Sequence, residues 1–169
     1  MNVEDVKEHI RQWVKNTLSV PSPLFQNLPP CPYSREALLN NKVDIRCVHG
    51  SDLLECVAEM GRTWDDSHEL ILVAADPDTI EPEELIAAIG KSNELLETAD
   101  LVSFFDHPRC TNPKYTVTSA NGTYVLVGMQ RLENFVRAAQ PLYKKKYFEK
   151  VSKQFSVVDH LNKDDSGRR

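Results

Sequence analysis

No stretch of this sequence is apolar for long enough to cross a membrane, since the longest run, Leu70–Ala75, is far shorter than the roughly 20 residues of a helical span. The sequence also lacks an excess of positive charge, because its formal net charge is −5. One short basic cluster, Lys144–Lys146, cannot supply the many phosphate contacts that nucleic-acid binding requires. We therefore expect neither a membrane segment nor a nucleic-acid partner.

Cysteine is scarce, with four residues and no Cys-x-x-Cys pair. The first residues, Met1–Asp5, are acidic, whereas a secretion signal begins with basic residues and continues with apolar ones. Thiols in a chain without such a signal are typical of reducing compartments, so we expect reduced cysteines and a cytoplasmic location. Cys47 and Cys56 fall on strand and helix faces and are expected to act as small buried hydrophobic residues.

The length and composition are those of one folded domain. A chain of 169 residues, of which 41% are hydrophobic and 27% charged, can bury a core without disulfides or a structural metal. Residues 162–169 are polar and are predicted to form a disordered tail. The sequence therefore predicts a soluble protein with a single domain over residues 1–161.

The N-terminal segment combines a helix with a proline-rich loop. Apolar residues recur at helical spacing from Val3 to Thr17 after a suitable N-cap, Asn2, so residues 1–18 are predicted to form an amphipathic helix. Five prolines exclude regular structure over residues 19–33, while the apolar residues between them indicate a loop packed on the domain. A packed loop of this length is often functional.

Helices and strands alternate in the middle of the chain. Leu70–Ala75 is apolar on both faces, as is usual for the central strand of a parallel sheet. Right-handed crossover connections should lay the successive strands parallel. The predicted elements are a helix over Ser34–Leu39, strands over Val43–Val48, Leu70–Ala75 and Leu101–Phe105, a helix that Ser51 caps and Gly61 ends, and a helix from Pro82 to Leu96.

The alternation then gives way to a hairpin pattern. Asn121-Gly122, the pair best suited to a type I′ turn, stands between the strand-like segments Tyr115–Ser119 and Thr123–Met129. A last helix is predicted from Leu132 onwards, with an interruption at Pro141. The predicted fold class is α/β: a single three-layer domain with flanking helices and a mixed sheet of about five strands, three parallel and then an antiparallel hairpin at one side.

Polar residues follow each of the three parallel strands. His49 follows the first strand, Asp76 and Asp78 follow the second, and Asp106 and His107 close the third. Open α/β sheets bind ligands at the carboxyl edge, so His49 and Asp76 could contact a ligand, and the set could hold a divalent metal or act as acid and base. The alternative is that these residues only form turns, for which Asp and Pro are common.

A second candidate is Cys31, which stands just before the predicted helix at Ser34. A helix N-terminus stabilises a thiolate through its dipole and its N–H groups, so this thiol could be reactive. Tyr33 could stack on a ligand or anchor the proline loop. Cys31-Pro32-Tyr33-Ser34 resembles the active-site motif of glutaredoxins, which implies thiol chemistry at Cys31. The chain lacks their strand before the motif, their threonine-valine-proline segment and their paired glycines.

Three longer segments carry a wider resemblance. Asn27–Ala37, Val43–Arg46 and Leu101–Pro108 are similar to segments of uncharacterised small proteins of bacteria and phages. These proteins carry a Cys-Pro-aromatic segment near the N-terminus and a His-Pro segment after a later strand. The similarity spans most of the chain, from Trp13 to Phe155, and implies a shared fold without an established activity.

Two functional hypotheses follow from these residues. In the first, Cys31, Asp106 and His107 form a catalytic site, or Cys31, His107 and Cys110 bind a divalent metal at the carboxyl edge of the sheet. In the second, the same residues only shape loops of a non-catalytic binding or regulatory protein. Its partner would be a small molecule or another protein.

Overall fold

The computed structural model of the chain describes residues 2–23, 27–31, 34–49, 52–111 and 119–137. Helices and strands alternate along these residues, and the strands form one mixed sheet, which confirms the α/β class. In chain order the elements are α1 (Val3–Trp13), a π-helical turn (Val14–Leu18), α2 (Ser34–Leu39), β1 (Val43–Cys47), α3 (Leu53–Arg62), β2 (Leu70–Ala75), α4 (Pro82–Leu96), a 3-10 turn (Glu97–Ala99), β3 (Leu101–Asp106) and β4 (Val125–Arg131), after which residues 132–137 are helical.

Local signals place the ends of the helices close to their predicted positions. The Asn2 side chain accepts a hydrogen bond from the Glu4 N–H at 3.1 Å and caps α1, as expected. Pro82 occupies the first turn of α4, where no intrahelical partner is needed for its missing N–H. The helix predicted to end at Gly61 ends one residue later, at Arg62.

The sheet has the strand order β1-β2-β4-β3. β1 pairs parallel with β2, whereas β4 runs antiparallel to both of its neighbours, β2 and β3. β1, β2 and β3 therefore run in the same direction, as predicted, and end at the same edge. The expectation of a hairpin strand at one side of the sheet is wrong, because β4 lies between β2 and β3. Its residues Val125–Met129 are all buried, and its backbone pairs with a strand on each side.

The turn before β4 is not the predicted type I′ turn. Such a turn requires positive φ at both central residues, but only Gly122, with φ 71°, has this conformation. The Asn121 side chain instead accepts hydrogen bonds from the N–H groups of Thr123 and Tyr124 at 3.0 and 2.8 Å. Residues 112–118 lie outside the described residues, so the fifth strand stays a prediction.

Two clusters of buried side chains contact β2. Ile71, Val73 and Ala75 pack with residues of α3 and α4, while Leu72 and Ala74 pack with residues of α1. Successive side chains of a strand point to opposite faces, so each cluster covers one face. This arrangement accounts for a strand that is apolar at every position.

The proline-rich segment is tied to the end of the N-terminal helix. Ser22 and Leu28 form an isolated antiparallel bridge, and the Cys31 N–H donates to the Leu18 carbonyl at 2.9 Å. Tyr33, Ser51, the helix predicted beyond residue 137 and the tail over 162–169 lie outside the described residues. Within the described ranges, no helix has the length and apolar character needed to cross a membrane.

Candidate functional site

His49, Asp76, Asp106 and His107 lie at the carboxyl edge of β1, β2 and β3, at different depths. His49 and Asp76 are exposed, and each belongs to a turn. The His49 carbonyl accepts from the Asp52 N–H at 2.9 Å, and the Asp76 carbonyl accepts from the Thr79 N–H at 3.0 Å. His107, in contrast, is only 4% exposed.

Both ring nitrogens of His107 are bound to backbone groups. Nδ1 accepts from the Arg109 N–H at 3.0 Å, and Nε2 lies 2.9 Å from the Ile80 carbonyl oxygen. Since Nδ1 is an acceptor and a carbonyl oxygen can only accept, the proton of the neutral ring must be on Nε2. The imidazole therefore joins the turn after β3 to the segment before α4.

Arg109 joins the same two segments through its guanidinium group. Nη2 donates to the Pro77 carbonyl at 2.6 Å and to Glu81 at 3.3 Å, while Nη1 lies 3.4 Å from an Asp78 carboxylate oxygen. These acidic side chains are exposed, so their ion pairs contribute little to stability by themselves. Together with His107, Arg109 nevertheless fixes how the turn after β2 faces the turn after β3.

Asp106 uses one carboxylate oxygen to hold the turn before β4. Oδ2 accepts from the backbone N–H of Asn121 at 2.7 Å and from its Nδ2 at 2.6 Å. Asn121 is buried, and its Nδ2 also donates to the Tyr124 carbonyl at 2.9 Å. The Asp106–Asn121 pair thus connects the end of β3 to the start of β4.

Cys31 lies before α2, as predicted, and is half-buried. Its carbonyl oxygen accepts from the Ser34 hydroxyl at 2.8 Å and from the Ser34 N–H at 3.3 Å. The Ser34 hydroxyl also lies 3.3 Å from that of Ser19. These bonds fix the entry into α2 through the backbone of Cys31.

Cys31 and His107 are anchored to different core clusters. The carbonyl of Leu18 binds the Cys31 N–H, and the Leu18 side chain packs with the α1 cluster. Ile80, whose carbonyl faces the His107 ring, belongs to the cluster of α3 and α4. The two clusters cover opposite faces of β2. A joint Cys31–His107 site therefore stays a prediction.

The predicted metal site is not assembled within the described ranges. No three His, Cys, Asp or Glu side chains in this part of the chain lie close enough together to hold a metal ion. Cys110 is half-buried, and its N–H donates to the His107 carbonyl at 3.0 Å, which closes the turn after β3. Cys110 and His107 are thus neighbours through the backbone.

Cys47 and Cys56 are half-buried thiols at the margins of the two clusters. Burial raises the pKa of the Cys47 thiol, although the positive charge of Lys7 opposes this effect. Burial also raises the pKa of the Cys56 thiol, against the opposing charge of Arg46. Both side chains pack against the clusters as small, mainly apolar groups, although they are half-buried and not buried as expected.

A small polar cleft lies between α1, α2 and the start of β1. Its volume is about 150 Å³. Lys7 and Arg11 project from α1, and each forms an ion pair with a glutamate three residues earlier. The cleft is lined by Lys7, Arg11, Leu38, Asn41, Val43, Asp44 and Ile45.

Three residues that organise this region were absent from the sequence-based site: Asn93, Arg109 and Asn121. Asn121 was assigned to the predicted turn, where Asn is common and carries no further signal, and Arg109 follows the His-Pro segment without any motif of its own. Asn93 lies on α4, and its partner Ser103 is on β3. A contact between separate elements depends on how they pack, which no local motif of this chain indicates.

Comparison of the chain with models of known protein families, with curated proteins and with solved structures gives no significant match.

Proposed function

We propose that this domain is a non-catalytic binding or regulatory protein whose polar residues at the carboxyl edge hold loops in place. The observation that carries the proposal is the enclosed His107 ring, with both nitrogens engaged by backbone groups. A general base or metal ligand needs an accessible nitrogen lone pair. In His107 that lone pair, on Nδ1, accepts from the Arg109 N–H.

The surroundings of Asp106 support the same proposal. In a catalytic triad, the carboxylate orients the imidazole by accepting its N–H. Here the Asp106 carboxylate accepts from Asn121, and the His107 N–H faces the Ile80 carbonyl. The two neighbouring residues thus serve two separate turns.

Substitution of His107 by two residues tests the proposal. Gln can supply one donor and one acceptor but no imidazole, whereas Ala leaves the Ile80 carbonyl and the Arg109 N–H without the ring. We expect His107→Gln to retain more of the free energy of unfolding than His107→Ala. A partner recovered from the native cell by crosslinking should bind native protein, His107→Gln and Cys31→Ser equally.

Metal and thiol measurements test the alternative, a thiol- or metal-dependent site. Elemental analysis of the purified protein, before and after zinc addition and dialysis, should find no stoichiometric metal. The rate of thiol–disulfide exchange should not depend on His107. A stoichiometric metal lost in both His107→Gln and Cys31→Ser would establish the thiol- or metal-dependent site instead. Failure to recover any protein or metabolite with the folded domain would contradict a binding role.

We also infer that the domain has the predicted three layers. The α1 cluster on one face of β2 and the α3–α4 cluster on the other support the layers. Membership of the family of small bacterial and phage proteins is part of the same proposal, and it rests on the Cys-Pro-aromatic and His-Pro segments.

A further inference from the structure

Within the described residues, the outer edge of β1 presents a regular row of backbone groups that no other strand pairs with. In the parallel ladder with β2, the Lys42 carbonyl accepts from the Leu70 N–H and the Val48 N–H donates to the Ala74 carbonyl. A parallel ladder uses every second residue of a strand, so the backbone groups of Asp44 and Arg46 also face β2. Those of Val43, Ile45 and Cys47 face outwards, where no strand of the described part pairs with them.

The two edges of the sheet differ in protection. At the β3 edge, the Asn93 side chain binds both the N–H and the carbonyl of Ser103. Natural proteins commonly block edge strands in this or a similar way, because an open edge is a template for another strand. β1 carries one charge of each sign, Asp44 and Arg46, instead of a row of like charges that would repel a second strand.

The sequence of β1 is complementary to itself in the antiparallel direction. When two copies of Val43–Cys47 are paired about Ile45, Asp44 of each copy lies opposite Arg46 of the other. Val43 then lies opposite Cys47, and Ile45 opposite Ile45. The outward-facing residues are the ones that would exchange backbone hydrogen bonds in this register, so backbone and side-chain patterns require the same alignment.

The charged side chains are accessible for such pairing. The Arg46 Nε lies 2.7 Å from the Asp44 Oδ2 within one chain, and the two side chains are 40% and 30% exposed. Opposite charges directly across an antiparallel pair stabilise it, whereas like charges destabilise it. Two copies would join two such ion pairs into one group of four alternating charges.

Side chains of α1 carry opposite charges at the two ends of β1. The start of α1 lies at the Cys47 end of the strand, where the Cys47 thiol lies 3.9 Å from the Val3 carbonyl. Val3 is 45% exposed, and Glu4 and Asp5 follow it. The cleft with Lys7 and Arg11 lies at the Val43 end. Antiparallel pairing brings Glu4 and Asp5 of one copy towards the end of the strand where Lys7 and Arg11 of the other copy line the polar cleft.

We propose that β1 pairs antiparallel with β1 of a second copy of this chain, about a two-fold axis at Ile45, and joins the two sheets. Such an interface uses the same surface of both copies and closes after two subunits. It is independent of the proposed absence of catalysis, since a dimer is compatible with either function.

Charge reversal at Asp44 and Arg46 tests the alignment directly. Arg46→Asp places Asp opposite Asp, and Asp44→Arg places Arg opposite Arg. We expect each variant alone to weaken dimerisation by about ten-fold or more, because attraction becomes repulsion at both symmetric pairs. An equimolar mixture of the two variants should form a heterodimer, and the double variant Asp44→Arg/Arg46→Asp should recover the native dimer.

Sedimentation equilibrium over a concentration series gives the measurement. The chain of 19.2 kDa should approach twice this mass in the native protein, and circular dichroism should confirm that each variant is folded. Arg62→Asp is the matched control, because Arg62 forms an exposed ion pair with Glu59 on α3 and lies outside the proposed interface. It should leave dimerisation unchanged.

Three outcomes would overturn the proposal. One is a native chain that stays monomeric up to about 1 mM, a concentration at which even a weak specific complex forms. Another is a native dimer that both charge reversals leave intact, which would place the interface elsewhere. The third is folded single variants that do not associate when mixed, which would exclude the alignment about Ile45.

Discussion

The side chain of Asn93 binds Ser103 in the way that a neighbouring strand would. Its Nδ2 donates to the Ser103 carbonyl at 2.9 Å, and its Oδ1 accepts from the Ser103 N–H and hydroxyl, each at 2.8 Å. Ser103 lies on the edge strand β3 and is 2% exposed. A single side chain of α4 therefore satisfies both backbone groups of Ser103 on this edge strand.

Asn93→Ala should destabilise the domain and open this edge. The substitution leaves a buried donor and a buried acceptor of Ser103 without partners, at a cost of about 1–3 kcal/mol for each group. Chemical denaturation would give the free energy of unfolding, and light scattering would detect new association through β3. Asn16→Ala, which removes an exposed helical hydrogen bond to Gln12, is the matched control. Equal effects of the two substitutions would contradict the role of Asn93.

Asn121→Ala should destabilise the domain through the Asp106–Asn121 pair. It removes the amide donor to the Asp106 carboxylate and the acceptor of the Thr123 and Tyr124 N–H groups. We expect a loss of about 1–3 kcal/mol, as is usual when buried polar groups lose their partners.

The double variant Asp106→Ala/Asn121→Ala provides a check by double-mutant cycle. It should cost less than the sum of the single substitutions, because the residues share hydrogen bonds. Asp76→Ala is a control at an exposed turn, where changes normally stay within about 0.5 kcal/mol. Additive losses at Asp106 and Asn121 would show that the pair does not act as a unit.

Gly128→Ala should be destabilising because Phe104 covers this position. Phe104 and Gly128 are directly opposite on β3 and β4, and a Cβ at residue 128 would overlap the Phe104 ring. Overpacking of this kind typically costs about 1–3 kcal/mol. Phe104→Ala/Gly128→Ala should be no less stable than Phe104→Ala alone, because the smaller side chain removes the clash. A further loss in the double variant would show that Gly128 is needed for another reason.

The half-buried thiols predict a loss of stability at alkaline pH. Burial raises the pKa of Cys47 and Cys56 in the folded state, so the unfolded thiols lose their protons first. The contribution of the two thiols to the free energy of unfolding is fully present below the ordinary thiol pKa. It is lost as pH rises through the raised pKa values of the folded state. Cys47→Ala/Cys56→Ala should reduce the alkaline fall in unfolding free energy.

Alkylation by iodoacetamide gives an independent readout for the same two thiols. In folded protein, the rate at Cys47 and Cys56, followed by mass spectrometry of peptides, should rise only at higher pH than in urea-unfolded protein. The unfolded sample serves as its own control for intrinsic reactivity. Identical pH profiles in the two samples would contradict the effect of burial.

Local patterns were sufficient for the helices and for the direction of the first three strands. Asn2 and Pro82 mark helix starts because capping depends on residues close in sequence. β2 shows its central position because it is apolar on both faces. The position of β4 could not be predicted in the same way. Its apolar residues indicated a buried strand, but which strands flank it depends on tertiary packing.

The sequence indicated where His107 and Asp106 lie along the sheet but not what they contact. His107 does lie at the carboxyl edge, yet its ring faces Ile80, a residue 27 positions earlier in the chain. Asp106 is engaged by Asn121, which follows it by 15 positions. A His or Asp beside a turn has the same local pattern whether it serves a ligand or the backbone, so only the three-dimensional contacts distinguish the two roles.

The state of the His107 ring tests the proposed function most directly. Long-range ¹H–¹⁵N NMR spectra distinguish the two neutral tautomers and report metal coordination. We predict a ring with its proton on Nε2 and an unprotonated Nδ1 that accepts a hydrogen bond, unchanged by an equivalent of Zn²⁺. A proton on Nδ1, or ring signals that shift on zinc binding, would contradict the account and support a metal or catalytic site.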